Sequence, residues 1–162
     1  MPDIEIRQAV PGDAAVVVDL LRSLALTLGE EEKFRSTEAA ILRHGFGADR
    51  LLWSMLAMEG MSGVGLACYF PTFSTTRGVP GVYVQDLYVA PEARGRGLGR
   101  RLLAAVSRDA AADWGAAYLT LLVLDGNSGA RTFYQRLGFV LPDNERPAFL
   151  DGAAFAALGE VA

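Results

Sequence analysis

Hydrophobic and polar positions alternate at the start of the chain and then change period. Ile4, Ile6 and Gln8 are separated by charged residues, the pattern of a half-buried strand, and Pro11-Gly12 turns the chain behind them. Val17, Leu20, Leu21, Leu24 and Leu28 follow at helical spacing, which predicts a helix capped by Asp13 and stopped by Gly29. Ser36 or Thr37 caps a short second helix with Ile41 and Leu42, ending at Gly45. Leu51 to Met58 and Val64 to Phe70 flank Glu59-Gly60 and read as a hairpin. Val82 to Val89 is a third, long strand ended by Pro91. Leu98, Leu102, Val106 and Ala110 recur on one helix face, and Tyr118 to Leu124 is apolar enough for a central strand. Between Asn127 and Gly138, residues Ala130, Phe133, Tyr134 and Leu137 predict another helix. Phe139-Val140 and Arg146 to Leu150 read as short closing strands, and Ala153 to Leu158 as a last turn or two of helix.

No repeat or linker interrupts this pattern, so residues 1–162 read as one domain. The longest apolar run is about half the roughly 20 residues a membrane-spanning helix needs, and the N-terminus lacks a signal-peptide pattern, so a cytoplasmic protein without membrane contact is expected. One cysteine, Cys68, and one histidine, His44, cannot assemble a His/Cys metal site, and they weaken a Ser-His-Asp hydrolase reading. A net charge of −4 argues against nucleic-acid binding. The cations are nonetheless clustered: Lys33 is the only lysine, and Arg94, Arg96, Arg100 and Arg101 make a local anion site.

A strand passing through a glycine turn into a helix exposes backbone N–H groups at the positive end of the helix dipole, a phosphate-binding device. The Walker pattern fails for want of a lysine, and the dinucleotide pattern fails because glycines 95, 97 and 99 are evenly spaced. Arg94-x-x-Gly97-x-Gly99 instead resembles the pyrophosphate loop of the GCN5-related N-acetyltransferase (GNAT) superfamily. Arg7-Gln8-Ala9 leading to Asp13, Tyr83 to Val89, and Asn127…Phe133-Tyr134…Leu137-Gly138-Phe139 match the same superfamily in order and spacing. Gly45-Phe46-Gly47, Cys68-Tyr69-Phe70 and Gly81 to Val89 are most similar to its diamine (spermidine/spermine and thialysine) branch. That branch carries Glu-Asp where this chain has Gln85-Asp86, and its acidic and tryptophan positions are here Ser74-Thr75-Thr76-Arg77.

The resemblance implies an α/β fold: a mixed, mostly antiparallel sheet of six to seven strands with a splayed fourth strand, flanked by about four helices. It implies acetyl-CoA as cosubstrate with no metal, held by Leu87, Tyr88, Val89, Arg94, Gly95, Arg96, Gly97, Leu98, Gly99, Arg100, Asn127, Ala130, Phe133 and Tyr134. The acceptor is a small primary amine, a diamine, amino acid or related metabolite, and a homodimer is implied. Protein N-terminal or lysine acetylation, and an acyl-CoA-binding module without turnover, remain as alternatives.

Acetyl transfer needs a neutral amine and a proton for the departing thiolate. A lysine-like ammonium is neutral in about one molecule in 10³ at pH 7, a deficit of roughly 4.6 kcal/mol. Gln85 cannot act as base; Asp86 alternates to the opposite strand face and reaches the acceptor where the strand bulges or splays. Glu31 or Glu32 can serve through water. Tyr134 matches the branch's general acid, and Glu31, Glu32, Arg77, Gln85 and Asp86 are the candidate acceptor-side residues.

Overall fold

The computed structural model describes residues 3–143, 150 and 152–159. The chain divides into two compact units, Met1–Leu122 and Val123–Ala162. In the first unit β1 (Ile4–Gln8), β2 (Trp53–Glu59), β3 (Ser62–Ser74), β4 (Val79–Val89) and β5 (Leu119–Leu121) form one sheet in sequential order. The first four are antiparallel and β5 is parallel to β4. Five strands are therefore present among the described residues, not six to seven.

Helices α1 (Ala14–Thr27) and α2 (Glu38–Phe46) cover one face. Val17, Leu20, Leu21 and Ile41 join Leu56, Met58, Leu66, Cys68 and Tyr88 of the sheet in a core on that side. α3 (Leu98–Trp114) packs through Leu102, Val106 and Ala110 on the other face, where the Trp114 ring centroid lies 6.4 Å from that of Tyr69. The second unit contains α4 (Ser128–Arg136) and α5 (Gly152–Gly159). Among the described residues no helix is long and apolar enough to cross a membrane.

Several sequence expectations shift. β3 runs through Pro71 to Ser74 because β2 ends opposite Tyr69; beyond it β3 has β4 as its neighbour, and a missing N–H is tolerated there. Tyr118 to Leu124 contracts to the three residues of β5, paired among the described residues with β4 alone. Phe139-Val140 is not a strand, and residues 146–149 of the last expected strand lie outside the described residues. Thr37 caps α2, accepting from Ala40 N at 3.2 Å. Asp13 occupies the N-cap position of α1 but does not cap it. Its carboxylate instead accepts two bonds from the Arg7 guanidinium, at 2.7 and 2.9 Å, and one from Val10 N at 2.8 Å, fastening the end of β1 to the start of α1.

The hydrogen bonds from Arg7 hold the Asp13 carboxyl below its ordinary range. Stability from this group is present above the unfolded carboxylate pKa near 4 and is lost as pH falls through the lower folded value. Asp13→Asn should therefore cost about 1–3 kcal/mol at pH 7. Denaturant melts at pH 7 and pH 3 should show that difference shrinking in acid; an equal difference at both would contradict the linkage.

Candidate active site

The sheet's most informative irregularity is in β4. Val84 is opposite Tyr69 and Asp86 opposite Cys68, so Gln85 is an extra residue with no partner of its own. β3 keeps its alternation through this point, and residues paired across antiparallel strands share a face. Asp86 therefore lies on the α1–α2 face with Cys68, and shares it with Tyr83, which pairs and stacks with Phe70 at 5.1 Å. In a regular strand, Tyr83 and Asp86, three residues apart, would face opposite ways. The bulge supplies the condition that lets Asp86 reach that face.

No hydrogen bond or ion pair to another described residue reaches the Asp86 carboxylate, and burial pushes its pKa up to about 6. Burial, with the Asp86 charge adding to it, pushes the Cys68 thiol up to about 12, so Cys68 is a neutral neighbour whose Sγ lies 3.6 Å from Ser54 Oγ. Ser54 is a buried polar residue that sequence reading missed. A serine inside an apolar strand was its available signal. Gln85 is exposed.

β5 pairs with Val82, Tyr83 and Val84 and then stops. From Gln85 to Val89 the edge of β4 away from β3 therefore has no strand neighbour among the described residues, which is the splay expected of this strand. Downstream, Gly95 and Gly97 adopt left-handed backbone with φ of 76° and 71°, a conformation that favours glycine. Gly97 is the N-cap of α3, and the N–H groups of Leu98, Gly99 and Arg100 have no acceptor within their helix. Leu98 directs its side chain into the core.

The arginines divide their tasks differently from a uniform phosphate clamp. Arg94 Nε donates to Val89 O at 3.0 Å, and Arg96 pairs with Glu59 at 2.9 Å. Arg101 donates to Ile4 O at 2.7 Å. Arg100 is exposed and has no ion pair among the described residues. Two of the three expected phosphate cations are thus occupied in fastening the loop to the sheet.

On the acceptor side, Glu31 and Glu32 are exposed in the one-turn helix Glu31–Lys33, and the following Phe34 packs on the α1–α2 core. Arg77 lies in the turn between β3 and β4, with its guanidinium carbon 4.8 Å from the centroid of Tyr118. The Tyr118 ring fills the space a Cβ on Gly81 would need. Tyr118 was expected only as the start of a strand; a glycine directly before the expected strand Val82 to Val89 was the signal of the close approach.

Within the second unit, Asn127 Oδ1 accepts from Ala130 N at 3.0 Å and caps α4. Tyr134 is buried between Phe133 and Phe139, with centroids 5.1 and 5.3 Å away. Burial pushes its hydroxyl up to about 12, so it stays protonated at neutral pH and yields its proton less readily than an ordinary phenol.

A sheet with an opened fourth strand leading through a left-handed glycine turn into a helix is the arrangement that the resemblance in the sequence implies. The acetyltransferase (GNAT) domain family matches residues 53–141. The chain belongs to that family and is an N-acetyltransferase. It is 32% identical over 146 residues to a thialysine N-epsilon-acetyltransferase of Bos taurus, with 85% of each chain covered. Among solved structures it is similar to an integron cassette protein of V. cholerae, at a TM-score of 0.79 and 20% identity over 98% of each chain. It is also similar to an aminoglycoside N-acetyltransferase in complex with CoA, at 0.72 and 22%, over 94% of this chain and 97% of that one. The two structural likenesses carry the fold.

Asp86 also has a stability signature opposite to that of Asp13. A half-buried carboxyl whose pKa is raised by desolvation favours its protonated form, so stability is greatest below the unfolded value near 4 and falls as pH rises to about 6. Asp86→Asn should gain on the parent by on the order of 2–3 kcal/mol between pH 4 and pH 7. Urea melts across that range check it; a pH-independent difference would show that Asp86 is not desolvated.

Proposed function

We propose that the protein is a small-molecule N-acetyltransferase in which acetyl-CoA donates to a primary amine on the α1–α2 face, with Asp86 as the base. The observation that carries this reading is the Gln85 bulge, which delivers an unpaired, desolvated carboxylate to that face. The thialysine N-epsilon-acetyltransferase likeness supports an amine acceptor. Residues 1–162 act as one acetyltransferase domain in this reading. The acidic net charge supports an enzyme without nucleic-acid contact, the N-terminal sequence pattern supports a cytoplasmic one, and resemblance to the superfamily supports a homodimer.

The chain fits the cosubstrate on its own geometry. The left-handed glycines 95 and 97 open the start of α3 to a pyrophosphate, and Arg100 is the cation free to join it. The backbone of Leu87, Tyr88 and Val89 offers an edge to an extended pantetheine arm. When bound, acetyl-CoA supplies a thioester carbonyl as the electrophile.

Asp86 takes a proton from the acceptor ammonium, directly or through water. At pH 7 it is largely ionised, and the low-dielectric face that raises its pKa disfavours both members of an ammonium–carboxylate pair, which favours passing the proton to Asp86. Glu31 and Glu32 extend negative charge along the same side and draw the cation in. Tyr134, kept protonated by burial, is the proposed donor of the proton that the departing thiolate needs.

Thiol release from acetyl-CoA with a panel of amines tests the reaction, and no release with any amine would leave a binding module. Asp86→Asn should lower kcat/KM by about 10² to 10⁴ and abolish a limb that rises with pH through about 6. An unchanged pH profile would remove Asp86 from the mechanism. Tyr134→Phe should lower kcat and kcat/KM together by at least about 10² with KM little changed. A chemical step within threefold of the parent by rapid quench would defeat that assignment.

A further inference from the structure

The α1–α2 face of β4 carries a second polar feature beyond Asp86. Gly81 and Tyr83 share that face, and the Tyr118 ring rests where a Gly81 side chain would project, anchored by Tyr118 O accepting from Val82 N at 2.9 Å. Arg77 lies over that ring, its turn pinned by Arg77 N donating to Ser74 Oγ at 3.1 Å. Among the described residues no carboxylate pairs with its guanidinium, whereas Arg7, Arg22, Arg96 and Arg131 all have acidic partners. An exposed, stacked and unpaired guanidinium presents its planar fork for a carboxylate or phosphate.

The sheet register gives the backbone spacing beneath the two features, which serves as the measure of their separation. Thr72 is opposite Gly81 and Cys68 is opposite Asp86, four residues apart on β3, or about 13 Å. Roughly 3 Å of hydrogen-bond length at each end leaves about 7 Å for the ligand. Aliphatic bond lengths convert that into roughly five or six bonds, or about six or seven atoms counted from the amine nitrogen to the terminal anionic oxygen. Between the ends lie Phe70 and Tyr83, a stacked, half-buried aromatic pair that suits methylene groups.

Resting on the acetyl transfer proposed above, we propose that Arg77, seated on Tyr118 above Gly81, is the specificity-determining residue for the acceptor. It takes the anionic group at the far end of an aliphatic amine whose amino group lies at Asp86. A polyamine places a cation against Arg77 and is disfavoured.

The test compares three acceptors of matched length, seven atoms end to end: ω-aminopentanoate, ω-aminopropyl phosphate and pentane diamine. Each is assayed with the parent, Arg77→Lys, Arg77→Ala and Arg77→Glu, all checked for fold by circular dichroism. The parent should favour at least one anionic acceptor over the diamine by at least about tenfold in kcat/KM, and the better of the two identifies carboxylate or phosphate. Arg77→Ala should remove that preference mainly through KM, Arg77→Lys should keep part of it, and Arg77→Glu should reverse it. If the amines are acetylated but the parent shows no preference, or the preference is unmoved by Arg77→Glu, Arg77 is not the determinant. If the parent acetylates none of the three or any wider amine panel, the proposed reaction falls and this assignment with it.

Discussion

A strand that is hydrogen-bonded along one whole edge, and along three residues of the other, places unequal demands on its backbone, and β4 meets them with one extra residue. Gln85 sits where β5 stops, opposite the point at which β3 must keep its alternation to pack α1 on one side and α3 on the other. The extra residue has two effects. It opens the edge of β4 beyond Val84, and it exchanges the face of every residue that follows. Asp86 and Tyr88 consequently lie on the α1–α2 side, Tyr88 within the core there and Asp86 beside Cys68.

The chemistry follows from that exchange of faces. A carboxylate bonded to an arginine, as Asp13 is, is held ionised and serves structure. Asp86 is half-buried and largely desolvated without such a bond, so its ionised form is less favoured and it can take up a proton near neutral pH. The arginines divide in the same way. Arg94 and Arg96 brace the glycine loop through Val89 and Glu59, whereas Arg77 and Arg100 have no acidic partner among the described residues and are open to anions.

Local features were legible in the sequence because each depends on a residue's own backbone or on a near neighbour. Left-handed glycines mark the α3 loop, Thr37 and Asn127 cap their helices, and the helical spacing of Leu98 to Ala110 marks the helix on the α3 face. Features that depend on pairing were not legible. The bulge could be posed as a condition from Gln85-Asp86, but its presence follows from how β3 and β4 align. Asp13 was misread as a cap because its competing partner, Arg7, is six residues away on another element. Tyr118 looked like an ordinary strand residue because its place is set by Gly81, 37 positions earlier.

The placement of Asp86 can be measured without a substrate. Carbon-13 NMR of the side-chain carboxyls, with the Asp86 resonance assigned by its loss in Asp86→Asn, follows this one group through acid titration. A desolvated carboxylate on the α1–α2 face should titrate with a midpoint near 6. A midpoint at the ordinary aspartate value near 4 would place Asp86 in water and contradict its role as the base delivered by the bulge.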